Sequence, residues 1–545
     1  MPPKHPTPHA DQAPTDEKDS LLFSSAKGAY YLVLLQLASR MLTFTLHQVV
    51  LRYTTAETLG IASVKLELLL STILFISREG FRCALLRGDN EDSTLEKEKY
   101  EKHASSGEQK ITNLAYIPTA IGLVTTFVAC TYYLNQIDDV TAAKYPYYRT
   151  SVVLFGIAAF AELLVEPLFV LALNRLYFRL RVSVEGVAVL LRCFITFGLT
   201  LLGVQNQSSQ ANAYGVLAFA VAQLAFGLTM AIGYVGFFFV QVKQQRIDKH
   251  ILFPRKLVAA DKTYWFDAKL LSLAMTLTKQ SLLKHVLTEG DKMLISVLSS
   301  DEDQGIYAFV VNYGSLIVRI LFQPLEETGR TFFSKLLGEK TKQNEADVAT
   351  AADVLLVTLK FHVMLGLLFT CFATNYTATL IDLLVGKAWS VDRNAPAVLA
   401  TYCMYVPVMG VNGITEAFVQ AVASRQDLTR LSYYMIGFSA CFMVSGIVFM
   451  HVLQLGAIGL VFANMVNLGV RIAYSWHYIV TYFYQNGIRL HLRQWLPSRT
   501  TVLGFIISWA VTRWSESNIG WYTLHQKILH IGVGALCFGL TALLR

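Results

Sequence analysis

Charged residues are scarce in this sequence. Asp, Glu, Lys and Arg together make up 15% of its 545 residues and hydrophobic residues 54%, whereas roughly 25% of an ordinary soluble domain is charged. Apolar runs of about twenty residues, each long enough to cross about 30 Å of hydrocarbon, recur along almost the whole chain. The composition therefore excludes a soluble protein and predicts an all-α integral membrane protein.

Motifs for metals, redox chemistry and nucleotides are also missing. The seven cysteines are scattered, and no Cys-x-x-Cys or Cys/His spacing indicates a metal or redox site. No GxxxxGK loop followed by Ser or Thr occurs, which argues against a bound nucleotide. The net charge of +8 does not indicate nucleic acid, because the basic residues lie in loops between apolar runs. We therefore expect no metal, cofactor, nucleotide or nucleic acid.

The apolar runs predict about fourteen transmembrane helices. The weakest are 276–298, which carries several charges, and 500–515, which is short. The candidate spans are 29–51, 58–77, 113–134, 150–173, 183–203, 213–240, 276–298, 304–323, 352–374, 395–420, 430–453, 456–480, 500–515 and 526–544.

The spans divide into two groups of six, with two further spans at the C-terminus. Leu59-Gly60-Ile61 opens the second span and Gln304-Gly305-Ile306 opens the eighth, and such parallel repeats are typical of transporters. We predict a disordered cytosolic tail, an N-lobe with a charged cytosolic loop, a basic cytosolic linker, a C-lobe and two extra spans. Their bounds are 1–27, 28–240 (loop 83–112), 241–275, 276–485 and 498–545.

Loop charges predict the orientation. With a cytosolic N-terminus, 78–112 and 241–279 carry seven and eight Lys/Arg on the cytosolic side, whereas 204–212 on the other side carries none. Lys and Arg then follow the positive-inside rule. The sequons at Asn206 and Asn375 fall on the non-cytosolic side, but both lie so close to span ends that their glycosylation stays an open question.

Polar residues inside the predicted spans follow helical spacing, so that they share one face of each helix. A charged group at a helix centre costs about 2.5–3.5 kcal/mol even on the lenient insertion scale, and these faces must point at protein or water. Spans one, two, seven and eight are equivalent pairs in the two halves, which predicts a cavity between the halves. The residues are Gln36, Arg40 and His47 in span one, Glu67, Arg78 and Arg82 in span two, Lys284 and Glu289 in span seven, and Asn312, Arg319, Gln323, Glu326 and Glu327 in and after span eight.

Several of these residues also have a purely structural interpretation. Arg78 and Arg82 lie near a span end and could reach the interface as topology determinants. Arg40 and Arg319 lie deeper, and for them a functional role is favoured. Ion pairing or helix anchoring is the alternative for three others: Glu289, Glu326 and Arg471.

The arginines indicate the chemistry of the cavity. A guanidinium offers a planar fork of donors that matches two phosphate oxygens at once. Arginines from several helices therefore suit an anion, and a diphosphate better than a monocarboxylate. Apolar faces around them suit a lipid tail, so the expected substrate is an amphipathic anion.

Several blocks of the sequence resemble one family. These blocks are Arg40-Met-Leu-Thr-Phe, Ser77-Arg78-Glu79-Gly-Phe81-Arg82, Leu287-Thr-Glu289-Gly290, Arg319-Ile-Leu-Phe-Gln323-Pro-Leu-Glu326-Glu327 and Val411-Asn-Gly-Ile-Thr-Glu416. They look like the Rft family of eukaryotic oligosaccharide translocation proteins in the endoplasmic reticulum (ER). That family belongs to the MOP superfamily of exporters, with the MATE multidrug exporters and the lipid II flippase MurJ.

This resemblance implies a two-lobed, V-shaped bundle that opens alternately to each face of the membrane. It implies translocation of Man(5)GlcNAc(2)-diphosphate-dolichol from the cytosolic to the lumenal ER leaflet for protein N-glycosylation, without enzymatic activity. Arg40, Arg78, Arg82 and Arg319 would then hold the diphosphate. The implied partners are the dolichyl-diphosphate oligosaccharide, membrane lipid and the ER glycosylation machinery.

Three other classes stay open at this stage. An ion-coupled, MATE-like exporter of small amphiphiles would use an intramembrane carboxylate such as Glu162 or Glu166. A multispan glycosyltransferase is disfavoured, because the acidic residues outside the spans lie on short loops. A support protein for lipid-linked oligosaccharide assembly that transports nothing would need a transport assay to be distinguished.

Overall fold

The protein is a bundle of long α-helices. The computed structural model describes residues 41–91, 100–205, 214–259, 262–337 and 344–543. A two-stranded antiparallel sheet, β1 (Leu257–Ala259) with β2 (Lys262–Tyr264), is the only sheet in these ranges. The helices are α1 (41–53), α2 (Ala56–Leu86), α3 (Tyr100–Gln136), α4 (Asp139–Lys144), α5 (Tyr148–Leu164), α6 (Glu166–Asn174), α7 (Phe178–Gln205), α8 (Gly215–Lys243), α9 (Ala268–Thr288), α10 (Gly290–Leu298), α11 (Asp301–Leu337), α12 (Glu345–Cys371), α13 (Thr377–Leu384), α14 (Lys387–Ser390), α15 (Ala395–Val422), α16 (Gln426–Val452), α17 (Gly456–Gln485), α18 (Arg499–Asn518) and α19 (Leu524–Leu543).

These helices confirm the predicted fold class. Within the described ranges, ten are long and apolar enough to cross a membrane, or eleven if the bent pair α5 and α6 forms one span. Three predicted spans are not among them: 29–51, which lies partly outside the described residues, 276–298, which breaks at Glu289, and 500–515, which falls within α18. The count of fourteen is consistent with this structure but stays a prediction.

Local sequence explains where helices start and bend. At the start of α11, the Ser300 hydroxyl accepts the Asp303 N–H at 3.2 Å, which satisfies one of the free donors of the first turn. Between α5 and α6 the chain bends by 40°. Pro167 lies in the first turn of α6 and has no N–H to continue the α5 hydrogen-bond ladder, which explains the bend at this place.

The N-terminal half has an apolar core of its own, whereas the core of the C-terminal half also takes in residues of α1 and α2, among them Leu51 and Leu59. In the N-terminal half, residues of α2, α5 and α8 pack together around the buried Phe155. In the C-terminal half, α11, α15 and α17 pack around the fully buried Phe309 and Trp389. α18 and α19 pack on each other, and Phe505 of α18 contacts Phe372 beside the end of α12.

Segments of span seven contact both halves. α9 packs on α2, where a Cβ at Gly80 would lie 2.3 Å from the Thr278 backbone. α10 packs on α16 and α17, where Leu294 fills the space beside Gly446, and it also contacts α2. The helix break at Glu289 therefore lies where the chain begins to pack on the C-terminal half.

Candidate functional site

The two halves meet most closely where α2 crosses α11. The crossing joins Gly60 and Gly305, the two glycines that open the self-similar second and eighth spans. A Cβ on Gly60 would lie 2.1 Å from the Asp301 carbonyl oxygen, and a Cβ on Gly305 would lie 1.7 Å from the Ala56 carbonyl oxygen. Only glycine permits this approach of two backbones.

An ion pair lies beside this crossing. Lys65 Nζ of α2 is 2.6 Å from Asp301 Oδ1 at the start of α11. Neither residue was among the predicted site residues, although a lone lysine in an apolar run was a usable signal. With the predicted orientation, the glycines and this ion pair close the lumenal ends of the two helices against each other.

The predicted polar face of α11 begins close to the crossing. His47 Nε2 of α1 and Asn312 Nδ2 of α11 are 3.0 Å apart, and the Tyr313 hydroxyl donates a hydrogen bond to Gln48 Oε1. The structure thus brings spans one and eight together, as the sequence predicts. Gln36 and Arg40, the other predicted residues of span one, lie outside the described residues.

Arg319 lies two turns further along α11 and is exposed. Among the described residues its hydrogen-bond partner is Ser315 on the same helix, whose hydroxyl accepts from Nη2 at 2.7 Å. Among the residues that the structure describes, no carboxylate forms a salt bridge with Arg319. Gln323 and Glu327 continue the exposed face, so this face of α11 is polar and carries Arg319 without a carboxylate partner among the described residues.

Arg78 and Arg82 have a different environment, because both are paired with carboxylates. Arg82 makes a fork to Glu166, with Nε to Oε1 at 2.7 Å and Nη2 to Oε2 at 2.6 Å. Arg78 Nη1 lies 3.4 Å from Glu162 and 3.9 Å from Glu166. Both glutamates are buried, and the bend between α5 and α6 places them opposite α2.

These pairs line a cavity, which we call the N-half pocket. Its volume is about 200 Å³. Its walls come from α2, α5, α6, α7 and α8, and its lining residues are Arg78, Arg82, Glu162, Val165, Glu166, Phe169, Arg181, Glu185, Phe226, Met230 and Tyr234. Sequence reasoning missed Arg181, Glu185 and Tyr234 as site residues. Tyr234 lies in an apolar run with no polar neighbour at helical spacing that could have indicated it.

The predicted polar residues of the C-terminal half pair among themselves. Glu416 of α15 accepts from Arg471 of α17 at 2.5 Å and from Asn412 at 3.1 Å. Glu326 accepts from Arg330 one turn away at 2.7 Å. Glu326 and Arg471 are therefore both ion-paired, but Glu326 pairs with Arg330 and not with Arg319.

Span seven and span two hold the remaining predicted residues. Lys292 Nζ of α10 lies 2.9 Å from Glu289, and Glu67 on α2 is half-buried. The Lys284 side chain lies outside what the structure describes. No group of His, Cys, Asp and Glu residues with the geometry of a metal site occurs in the described ranges.

Known proteins resemble this chain along most of its length. A family model described as "Rft protein" matches residues 24–545. A Xenopus tropicalis protein named "Man(5)GlcNAc(2)-PP-dolichol translocation protein RFT1" is 33% identical, over 96% of this chain and 94% of its own. Proteins with the same name are 35% identical in Yarrowia lipolytica, covering 90% and 74%, and 30% identical in Saccharomyces cerevisiae, covering 84% and 82%.

Two solved structures share the fold. A structure titled "Inward-facing conformation of a multidrug resistance MATE family transporter of the MOP superfamily" superposes with a TM-score of 0.53 at 14% identity, covering 81% of this chain and 94% of its own. "Lipid II flippase MurJ, inward closed conformation" has a TM-score of 0.51 at 13% identity, covering 94% and 98%. At these identities the likeness concerns the fold alone, and it confirms the predicted MATE/MurJ-like architecture.

Proposed function

The chain belongs to the Rft protein family, and from that premise we propose that it translocates a dolichyl-diphosphate oligosaccharide from the cytosolic to the lumenal leaflet of the ER membrane. The relatives named above for Man(5)GlcNAc(2)-PP-dolichol indicate this substrate. The protein would thereby serve protein N-glycosylation as a transporter and not as an enzyme. The single structural observation that carries the proposal is the exposed, uncompensated Arg319 on a polar helix face.

An arginine in that position needs water or an anion. A charge at the centre of a spanning helix costs about 2.5–3.5 kcal/mol when it faces lipid, so Arg319 must face a polar cavity. Its guanidinium keeps most of its donors free, since its only described partner is Ser315. A diphosphate presents paired oxygens that such a fork can bind. Arg40, which we predict to lie two turns before His47 on the same face of span one, would add a second cation.

The paired arginines are less suited to hold the diphosphate. Glu166 already occupies Arg82 through two hydrogen bonds, and Arg78 lies within 4 Å of both Glu162 and Glu166. An anion at this place would have to displace a buried carboxylate, which would then lose its counter-ion. Of the four arginines predicted to bind the diphosphate, we therefore assign Arg319 and Arg40 to it.

Translocation would proceed by alternating access. The glycine crossing of α2 and α11 supports a state closed at the lumenal ends, provided that the N-terminus is cytosolic as the loop charges predict. Opening this crossing while the cytosolic side closes would expose the cavity to the lumen. The partners would be the lipid-linked oligosaccharide, membrane lipid and the ER glycosylation machinery.

The test is reconstitution of the purified protein in liposomes with labelled lipid-linked heptasaccharide. We expect transport across the bilayer faster than in protein-free vesicles. Arg319→Ala should lower the transport rate or the apparent substrate affinity by about 10- to 150-fold, since a hydrogen bond to a charged group contributes about 1.5–3 kcal/mol. Arg513→Ala, which removes an exposed arginine of α18, is the matched control.

Two outcomes separate the proposal from its alternatives. If the wild-type protein transports no faster than empty vesicles, direct translocation is wrong and the support-protein hypothesis gains. If transport requires a proton or sodium gradient and accepts small amphiphiles equally well, the exporter hypothesis gains. Full activity of the Arg319→Ala variant would contradict the assignment of the diphosphate to this face.

A further inference from the structure

The N-half pocket is formally neutral although it is lined by six charged side chains. Three arginines, Arg78, Arg82 and Arg181, face three glutamates, Glu162, Glu166 and Glu185. They form pairs, because Arg82 binds Glu166, Arg78 lies 3.4 Å from Glu162 and Arg181 Nε lies 2.9 Å from Glu185. The pocket therefore offers many donors and acceptors without an excess of either charge.

One donor in this pocket has no partner. Tyr234 of α8 lines the cavity and is 1% exposed, and its hydroxyl has no hydrogen-bond partner among the described residues. Buried hydroxyl groups are almost always hydrogen-bonded, because leaving one unsatisfied is destabilising. Each of the six charged side chains of the pocket has at least one partner, so the unpaired phenol marks a place where a ligand would complete the network.

The composition of the walls selects the class of ligand. An anion would meet as many carboxylates as guanidinium groups, and a cation would meet as many guanidinium groups as carboxylates, so neither gains on balance. A sugar ring is neutral, and each of its hydroxyl groups both donates and accepts. It can therefore accept from Tyr234 and Arg78 while it donates to the glutamates. The volume of about 200 Å³ would hold one such ring and not a chain of them.

The position of the pocket fits a substrate that arrives from the cytosol. Arg82 lies toward the predicted cytosolic end of α2. Arg181 lies in the first turn of α7, in the segment that joins the predicted spans 150–173 and 183–203 on the cytosolic side. A polar head group approaching the cytosolic leaflet would meet this pocket before the lumenal crossing of α2 and α11.

We propose that the N-half pocket binds one neutral sugar unit of the oligosaccharide, with the Tyr234 hydroxyl as a specificity determinant. This inference rests on the proposed function, because it takes the lipid-linked oligosaccharide as the substrate. Two regions of the molecule would then bind two parts of the substrate: the exposed face of α11 binds the diphosphate, and the pocket recognises the sugar.

The experiment compares two lipids that differ only in the sugar. The full-length protein in nanodiscs is titrated with dolichyl-diphosphate heptasaccharide and with sugar-free dolichyl diphosphate. Tyr234→Phe removes one hydroxyl and should weaken binding of the heptasaccharide lipid by roughly 2- to 12-fold, as the loss of one hydrogen bond predicts. Binding of the sugar-free lipid should not change. Tyr145→Phe, at a buried tyrosine that does not line the pocket, is the matched control and should change neither affinity.

A second variant distinguishes a sugar pocket from a phosphate pocket. Glu162→Gln keeps the shape of the side chain but leaves the pocket with one net positive charge. We expect weaker binding of the heptasaccharide lipid and unchanged binding of the sugar-free lipid. Tighter binding of the sugar-free lipid, or equal losses for both lipids in Tyr234→Phe, would overturn the inference. Failure of the wild-type protein to bind the heptasaccharide lipid at all would overturn the proposed function instead.

Discussion

The crossing of α2 and α11 gives a sharp prediction, because two backbones meet there without any side chain between them. Replacing Gly305 by alanine places a Cβ 1.7 Å from the Ala56 carbonyl oxygen and 2.5 Å from its carbonyl carbon. Ordinary van der Waals contact of a Cβ begins near 3.4 Å. Both obstructing atoms belong to the backbone, so no side chain can rotate away. The helices must separate locally by about 1.7 Å, the difference between the two distances.

This separation should shift the conformational equilibrium and not merely loosen the fold. Overpacking of a well-packed contact costs about 1–3 kcal/mol. That free energy corresponds to a roughly 5- to 150-fold loss in the population of the closed crossing relative to an open one. The ion pair of Lys65 with Asp301, now 2.6 Å, would lengthen with it.

Cysteine cross-linking measures this population. In a background in which the seven native cysteines are replaced, Lys65→Cys and Asp301→Cys should be joined rapidly by a short bifunctional thiol reagent, which also bridges Cα separations beyond the roughly 7 Å that a disulfide allows. Adding Gly305→Ala should slow the cross-link by the factor given above. Gly198→Ala on α7 is the control, because a Cβ there meets nothing within 4 Å and alanine raises helix propensity. An unchanged cross-linking rate in the Gly305→Ala protein would refute the reasoning.

Two further predictions concern the C-terminal helices. Asn375 is buried and donates to Thr512 Oγ1 at 2.8 Å and to the Trp509 carbonyl at 3.1 Å. We therefore expect no glycan on this side chain. Wild type and Asn375→Gln should show the same change in gel mobility when they are treated with a glycosidase. Asp382 lies outside the spanning helices, and although burial raises its pKa, hydrogen bonds from Lys527 and Ser390 outweigh burial and hold the pKa below its usual 3.8. A carboxyl whose folded-state pKa is depressed stabilises the protein above its unfolded pKa and loses this effect as the pH falls through the folded value. Asp382→Asn should therefore lower Tm at pH 7, with a difference that shrinks below about pH 3.8; a constant difference would contradict the role of this contact.

The sequence predicted the fold class and the helical spans well, because both depend on local properties. Apolar runs must form helices in lipid, where every backbone polar group needs an internal partner. The helix break at Glu289 and the place of the span-seven charges could not be predicted from such local properties. α9 packs on the N-terminal half and α10 contacts both halves, and such a distribution of contacts depends on tertiary structure.

The candidate site was predicted in part. Helical spacing placed Asn312, Arg319 and Gln323 on one face of α11, as the structure has them. It could not show that Arg82 is paired and Arg319 is not, since pairing depends on a partner 84 residues away in the first case. Tyr234 carried no signal, because a buried tyrosine in an apolar run is usually part of the core and only the surrounding cavity distinguishes it.

The contrast between paired and unpaired arginines also bears on how a translocator can release its cargo. A site must bind firmly enough to select the substrate and weakly enough to let it leave on the other side. If all four predicted arginines held the diphosphate, charge-assisted hydrogen bonds in a poorly solvated cavity would retain it. Carboxylates that neutralise Arg78 and Arg82 remove that excess attraction from the N-half pocket. Because the diphosphate is assigned to α11, Glu162→Gln and Glu166→Gln should release a sugar-free diphosphate lipid as fast as wild type does. Slower release by these variants would contradict that assignment, since it would show that the diphosphate passes the N-half pocket and is retained there by the arginines that lost a carboxylate.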